Sequence, residues 1–268
     1  MLRSLNYLQQ YMVIATDGDV GNVVDFLLDD EYWTIRYLVV DTGAFLNRHD
    51  VLISPISFSE VEGPIQRFHL NLTKDKVKNS PTVDTHKPVS RQQEQEFHNY
   101  YGYPHYWDED LLEVSGSPAF SNMVAAENWL EAPRSKFDRL NDIHLRSAKE
   151  VRGYNIQASD ESIGHVDDYI VDDNVWEIRY LVIDTSNWWF GKRVLVAPQW
   201  ASRINWEQKD VHVDMSKKAI MGSPEYNSSV TLNREYETRL HGHYGEQGYW
   251  NKSDGRQKPR PASGAELP

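Results

Sequence analysis

The segment GNVVDFLLDDEYWTIRYLVVDT, residues 21–42, decides the fold. It opens on a glycine and continues through β-branched and aromatic residues to Leu28, which is typical of a strand. The acidic stretch Asp29-Asp30-Glu31 is rich in turn formers. A second strand, Ile35–Val40, follows, and Arg36 is the one charged residue in it. The segment therefore predicts a β-hairpin whose second strand is mostly buried.

This segment recurs 143 positions further along the chain. Residues 17–42 and 160–185 are identical at 14 of 26 positions, without a gap. Scattered identities in the same register extend the match to residues 2–107 and 145–250. The sequence thus predicts two copies of one small domain, joined by residues 108–144. The polar tail 251–268, rich in proline and glycine, is expected to be disordered.

Other short elements surround the hairpin in each copy. Val51–Ile53 and Phe68–Leu72 are predicted strands, and Thr73–Val77 is a predicted helical turn. The stretches Val89–Tyr101 and Leu232–Tyr244 are predicted helices that follow the strands. Several short strands at close spacing favour a small barrel or sandwich, so we expect an all-β fold with short helices.

Composition narrows the classes of function. The 268 residues carry a net charge of −12 and include no cysteine, which excludes disulfides, thiolate catalysis and cysteine-rich zinc sites. The negative charge opposes direct binding to nucleic acid and to anionic lipid. No apolar run approaches the roughly 20 residues of a membrane-spanning helix, and the first residues do not resemble a secretory signal. We therefore expect a cytoplasmic protein.

Nothing in the sequence matches a catalytic motif. A nucleophile elbow, a phosphate-binding glycine loop and a dinucleotide fingerprint are all missing. The sequence predicts no enzymatic activity, no cofactor and no metal. His212 and Asp214 would share one face of a strand, and His241 and His243 lie near a helix end, but we expect all four at the surface or at a cap.

The shared residues resemble the PRC-barrel family, which includes the cytoplasmic domain of the photosynthetic reaction centre H subunit. The pattern is a Gly-x-Val-x-Asp strand, an acidic turn, an Ile-Arg-Tyr-Leu-Val strand, an Asp-Thr pair and a short strand that ends at proline. Its residues are Gly21, Val23, Asp25, Asp29, Asp30, Trp33, Arg36 and Asp41, and again Gly164, Val166, Asp168, Asp172, Asp173, Trp176, Arg179 and Asp184. The resemblance implies two tandem PRC-type β-barrels and a layout similar to that of bacterial double-PRC-barrel proteins.

Arg36 is the most informative polar residue of the hairpin. If Leu28 pairs with Ile35, Arg36 lies opposite Leu27 and diagonal to Asp25 and Asp29. The favoured hypothesis is a structural ion pair, and an anion or partner site is the alternative. The same prediction applies in the second copy to Arg179, Asp168 and Asp172. The acidic turns are expected to hydrogen-bond their own backbone rather than to hold a cation.

Aromatic residues are concentrated in the loop between the second and third strands. Trp188, Trp189 and Phe190 occupy it in the second copy and Phe45 in the first. Three consecutive aromatic residues cannot all point inward. We therefore interpret them as candidate interaction residues, for a contact between domains or chains, a partner protein or a small-molecule pocket.

These observations favour an adaptor or assembly module that docks on a protein partner whose identity the sequence does not give. The family resemblance points to a membrane-associated complex, which would place the protein at the membrane periphery without a transmembrane segment of its own. Self-association as a homo-oligomer is a second form of docking. A domain that senses a small ligand or an ion is the alternative hypothesis.

Overall fold

The computed structural model of the chain describes residues 1–43, 50–81, 89–107, 145–185 and 191–251. Short strands dominate these residues, and the predicted all-β class with short helices is confirmed. The elements of the first half are β1 (Leu2–Ser4), α1 (Leu5–Leu8), β2 (Met12–Ala15), β3 (Gly18–Asp29), β4 (Thr34–Asp41), β5 (Asp50–Ile53), β6 (Phe58–Glu62), β7 (Arg67–Leu70), α2 (Lys74–Lys78) and α3 (Arg91–Tyr101). The elements of the second half are β8 (Leu145–Ser147), α4 (Ala148–Val151), β9 (Asn155–Gln157), β10 (Ser162–Asp172), β11 (Glu177–Asp184), β12 (Arg193–Val196), β13 (Ala201–Asn205), β14 (Asp210–Val213), α5 (Lys217–Gly222) and α6 (Arg234–Tyr244).

The chain divides into two compact units. Unit 1 holds Met1, Arg3–Glu150 and Asp172–Glu177, and unit 2 holds Leu2, Val151–Val171 and Ile178–Pro268. In unit 1 the strand order is β4-β3-β2-β7-β6, with β5 also paired to β4 and β8 to β3. In unit 2 the order is β13-β14-β9-β10-β11, with β12 paired to β11. The elements of unit 2 thus repeat those of unit 1 in the same order.

The central hairpin of unit 1 has one irregularity. Leu28 pairs with Ile35, but Leu27 pairs with Tyr37. Arg36 is therefore the extra residue of a β-bulge, and the prediction that it lies opposite Leu27 is wrong. The extra residue of a bulge does not follow the regular alternation of side chains between the two faces of the sheet. Arg36 can therefore turn toward Asp29.

The turn that closes each hairpin ends on a tryptophan in the left-handed region. Trp33 has φ 55° and Trp176 has φ 58°, a conformation that costs an L-residue roughly 1 kcal/mol. Each closes its turn with a backbone hydrogen bond, from Trp33 N–H to the Asp29 carbonyl at 2.8 Å and from Trp176 N–H to the Asp172 carbonyl at 2.7 Å. Burial offsets this cost, since both rings are at most 9% exposed.

Gly21 and Gly164 stand where β3 and β10 approach the next strand. A Cβ atom at Gly21 would lie 2.0 Å from the Asp41 carbonyl oxygen, and one at Gly164 would lie 2.1 Å from that of Asp184. The sequence predicts a glycine-specific backbone conformation at both positions. Gly21 has no positive φ, so the shared requirement is the absence of a side chain where two backbones meet.

Each unit has its own apolar core. In unit 1 it consists of Leu27, Tyr37, Val39, Leu52, Val89, Phe97 and Leu145. In unit 2 it consists of Ile170, Tyr180, Val182, Leu195, Ala197, Tyr226 and Leu240, with Leu2 packed against them. The compact units therefore do not follow the sequence copies 2–107 and 145–250, because Leu145 completes unit 1 and its counterpart Leu2 completes unit 2.

The helices of the described residues are short. The longest, α3 and α6, have 11 residues each, whereas a helix needs about 20 apolar residues to cross a bilayer. Within the described ranges, no helix has both the length and the apolar character of a membrane span.

Candidate functional site

The most elaborate polar cluster of unit 1 lies between α3 and β4. Helix α3 begins at Ser90, where a capping box joins the side chains of Ser90 and Gln93 to each other's backbone, and it ends at Gly102 with φ 73°. Glu94 and His98 are one turn apart and therefore share a face of the helix. Both are buried, and both point at the hydroxyl of Tyr37.

Glu94 accepts hydrogen bonds from two tyrosine hydroxyls and from an arginine. Tyr37 and Tyr106 donate their hydroxyls to Oε1 at 3.0 and 2.7 Å. Arg91 donates from Nη1 to Oε2 at 2.9 Å, and the side chain of Glu94 has no exposed surface. Buried carboxylates need such partners, because an unpaired charge in the interior costs several kcal/mol.

His98 extends this network to the chain that follows the helix. Its Nε2 lies 2.9 Å from the Tyr37 hydroxyl, and its Nδ1 lies 2.8 Å from the Pro104 carbonyl oxygen. Because a carbonyl can only accept, Nδ1 carries a proton and donates it. The network therefore holds the segment after α3 against the helix.

The Arg36–Asp29 pair lies beside the same network. Arg36 donates from Nε and Nη2 to Asp29 Oδ2 at 3.2 and 3.1 Å, and both side chains are 1% exposed. The Arg36 guanidinium also lies 3.8 Å from the centre of the Tyr106 ring, which adds a cation–π contact. The pair thus couples the acidic turn to the α3 network.

Unit 2 contains the same network, shifted by 143 positions. Tyr180 and Tyr249 donate their hydroxyls to Glu237 Oε1 at 2.9 Å each. His241 lies 3.0 Å from the Tyr180 hydroxyl and 3.1 Å from the Gln247 carbonyl oxygen. Arg234 lies 3.0 Å from Glu237, but its side chain is 52% exposed, whereas that of its counterpart Arg91 is 10% exposed.

Burial dominates the protonation of these groups. It raises the pKa of Tyr37 and of Tyr106 well above the usual value, and the nearby Glu94 carboxylate raises both further. Burial lowers the pKa of His98 to about 4 and also lowers that of His241. In a neutral His98 that is protonated on Nδ1, Nε2 is an acceptor, so it and Glu94 Oε1 compete for the single proton of the Tyr37 hydroxyl. Buried groups that face one another in this way are typical of a structural network rather than of a proton-transfer site open to solvent.

The remaining predicted ion-pair residues also make local contacts. Asp25 accepts hydrogen bonds from the Ser147 hydroxyl and from the Lys149 backbone N–H. Asp168 accepts from the backbone N–H of Tyr169 at 2.8 Å. The guanidinium of Arg179 lies 4.2 Å from the centre of the Tyr249 ring, which repeats the Arg36–Tyr106 contact.

Both acidic turns hydrogen-bond their own backbone. Asp29 Oδ1 accepts from the N–H groups of Glu31 and Tyr32 at 3.0 Å each. Asp172 Oδ1 accepts from Asn174 N–H at 3.2 Å. Asp29 differs from the expected solvated turn because it is fully buried.

The histidines singled out in the sequence also have local partners. His212 Nε2 lies 3.2 Å from an Arg203 nitrogen, and His243 Nε2 lies 2.7 Å from the Ala219 carbonyl oxygen. His241 belongs to the buried network rather than to the surface. The candidate interaction residues Phe45, Trp188, Trp189 and Phe190 lie outside the described residues.

The sequence interpretation missed the two networks. Their members are identical between the copies at the offset of 143: Tyr37/Tyr180, Arg91/Arg234, Glu94/Glu237, His98/His241 and Tyr106/Tyr249. In each copy the arginine, glutamate and histidine follow the helical spacing i, i+3, i+7. Invariant polar residues on one helix face are the signal that could have predicted a buried polar network.

The comparisons with known proteins agree with this architecture. The family model of the PRC-barrel domain matches residues 144–220. The chain therefore carries a PRC-barrel domain, within which lie strands β9 to β14. A search of the curated proteins finds no match.

Proposed function

We propose that this protein is a non-catalytic docking module whose two units are both PRC-type barrels and which binds a protein partner through unit 1. The two units share the same strand order, a close approach of a glycine to the next strand and a buried polar network. These shared features support a barrel of this type in unit 1 as well as at residues 144–220. The PRC-barrel domain is a module that often takes part in protein interactions. The networks support the absence of catalysis, since their polar atoms point at one another.

The observation that carries the docking proposal is an apolar pair on the surface of unit 1. Tyr7 is 42% exposed and Ile65 is 49% exposed. Ile65 lies in the turn between β6 and β7, and the Tyr7 hydroxyl lies 3.4 Å from the carbonyl of Gly63 in the same turn. The exposed Tyr7 reaches the turn that also carries the exposed Ile65, and tyrosine is enriched among the residues that dominate binding at protein interfaces.

The second sequence copy, residues 145–250, provides an internal comparison for this pair. The positions 143 residues further along hold Glu150 and Gln208, both exposed. Because the two units share their architecture, the fold itself does not require apolar residues there. An interaction specific to unit 1 accounts for the difference.

A membrane-associated complex is the partner class that the reaction-centre H resemblance suggests. The net charge of −12 supports contact with a protein rather than with anionic lipid or nucleic acid. The protein would then lie in the cytoplasm and reach the membrane only through its partner. A second copy of this chain is the alternative occupant of the surface.

The test uses the full chain and a variant that carries the residues of the second sequence copy, Tyr7→Glu with Ile65→Gln. Proteins captured on the immobilised wild type from soluble and detergent-solubilised fractions are purified, and their Kd values are measured by interferometry. The variant should raise the Kd at least about tenfold, because it charges the centre of the surface. Val230→Glu, at an exposed valine of unit 2, is the control and should change the Kd less than about twofold.

Two results would overturn the proposal. The first is a partner that binds the double variant as tightly as the wild type. The second is a wild-type chain that binds no purified candidate. Sedimentation of the wild type and of the double variant tests the alternative occupant. A wild-type dimer that is lost in the variant would identify a second copy of this chain as the occupant of the surface.

A further inference from the structure

A row of polar residues crosses the sheet of unit 2. On neighbouring strands, His165 pairs with Asn155 of β9 and Asp184 pairs with Arg193 of β12. Strands β10 and β11, which carry His165 and Asp184, are adjacent. Asp167 lies two residues after His165 and therefore on the same face of β10.

Three of these side chains converge. The ligand-type atoms of His165, Asp167 and Asp184 all lie within 4.8 Å of one another, and each residue is half-buried. The Asp167 carboxylate is also held by Arg193, with Nε 2.9 Å from Oδ2. One imidazole nitrogen and two carboxylates thus face a common point beside a guanidinium.

We propose that His165, Asp167 and Asp184 form a binding site for a divalent transition-metal ion, with Zn²⁺ as the representative ion. Imidazole nitrogen and carboxylate oxygen are ligands that Zn²⁺ accepts at about 2.0–2.2 Å. Ligands at that distance in a tetrahedron are roughly 3.4 Å apart, so the trio must contract by little more than an ångström. Three protein ligands leave a fourth position for water or for a group from a partner.

Unit 1 shows that the barrel itself does not require this trio. The corresponding positions hold Asn22, Val24 and Asp41, and Asn22 pairs with Asp41 across β3 and β4. Unit 1 therefore keeps one carboxylate but lacks both the imidazole and the second carboxylate. The ligand set has been built, or kept, in one unit only.

Arg193 lies next to the proposed ligands and should affect how tightly the metal ion binds. Its position corresponds to Asp50 in unit 1, and its side chain is 46% exposed, so it can turn away when an ion arrives. Its positive charge opposes a cation, while its hydrogen bond holds the Asp167 carboxylate in place. Removal of the charge should tighten metal binding severalfold.

The experiment titrates Zn²⁺ into the untagged full chain, after treatment with a chelator, in an isothermal calorimeter. The wild type should bind one tight equivalent. His165→Asn, which installs the unit 1 residue, and Asp167→Asn should each weaken that equivalent at least about tenfold, as expected for loss of one ligand. Arg193→Gln should bind more tightly, and His212→Asn, a histidine of unit 2 outside the trio, should match the wild type.

Co²⁺ gives a second readout that does not depend on heat. Its visible absorption bands should appear with the wild type and disappear with His165→Asn, while circular dichroism confirms that each variant is folded. The proposal is overturned if the wild type binds no Zn²⁺ at millimolar concentration. It is also overturned if His165→Asn and Asp167→Asn bind like the wild type.

Discussion

Replacement of Glu94 by alanine should cost unit 1 much of its stability. The side chain is fully buried and accepts from Tyr37, Tyr106 and Arg91. Removal of one partner of a buried ion pair costs about 3–5 kcal/mol, and each orphaned hydroxyl adds about 1 kcal/mol or more. The two energetic costs do not add in full, because the neighbouring side chains relax into the space that Glu94 leaves. We therefore expect a loss of about 4 kcal/mol in the free energy of unfolding.

Glu94→Gln removes the negative charge of this side chain but keeps its shape, so it tests the contribution of the charge alone. The amide keeps an oxygen for the two hydroxyls but leaves the Arg91 guanidinium, 10% exposed, without its counter-charge. A loss of about 2 kcal/mol is expected. The equivalent change Glu237→Ala should also cost about 2 kcal/mol, less than Glu94→Ala, because Arg234 is 52% exposed and water can solvate it.

The assay is urea denaturation followed by tryptophan fluorescence and by circular dichroism. Glu96→Ala is the matched control, since Glu96 lies on the exposed face of the same helix and should change stability by less than about 0.5 kcal/mol. If Glu94→Ala cost no more than about 1 kcal/mol beyond this control, the network would not hold α3 in place. Equal losses for Glu94→Ala and Glu237→Ala would refute the part of the argument that rests on exposure of the arginine.

Two further perturbations test the buried groups and the close backbone contact. The pKa of His98 is about 4 in the folded state and about 6.5 in the unfolded state. The free energy of unfolding should therefore be highest above pH 6.5 and fall by about 3 kcal/mol as the pH drops toward 4. His98→Gln should not show this dependence on pH. A flat wild-type profile over this range would show instead that the folded network holds the imidazolium, which would satisfy every hydrogen bond of Tyr37. Gly21→Ala should cost about 3 kcal/mol or more in urea denaturation, because its Cβ would lie 2.0 Å from a backbone oxygen. Gly242→Ala is the control, because the added Cβ in α6 would have no atom within 4 Å, and it should stabilise the protein by up to about 1 kcal/mol. A loss of similar size in both variants would show that the backbone contact at Gly21 does not cause the effect.

Local patterns predicted much of the fold. Alternation and turn residues gave the strands, and the predicted helix Val89–Tyr101 is observed as Arg91–Tyr101. These features depend on residues that are neighbours in the chain, which is the information that a single sequence contains most directly.

What could not be predicted depends on distant residues. The bulge at Arg36 changes the register by one residue, and nothing local distinguishes a bulged arginine from a paired one. Tyr37 and Glu94 are 57 positions apart, so only the fold brings them together. The same holds for His165 and Asp184, whose approach depends on the pairing of two strands.

The exchange of Leu2 and Leu145 between the two units has a consequence for the independence of the two sequence copies. Leu145 belongs to the buried core of unit 1 and Leu2 packs against the core of unit 2, so each compact unit includes residues from both copies. A chain cut between residues 108 and 144 should accordingly yield fragments that fold only when mixed.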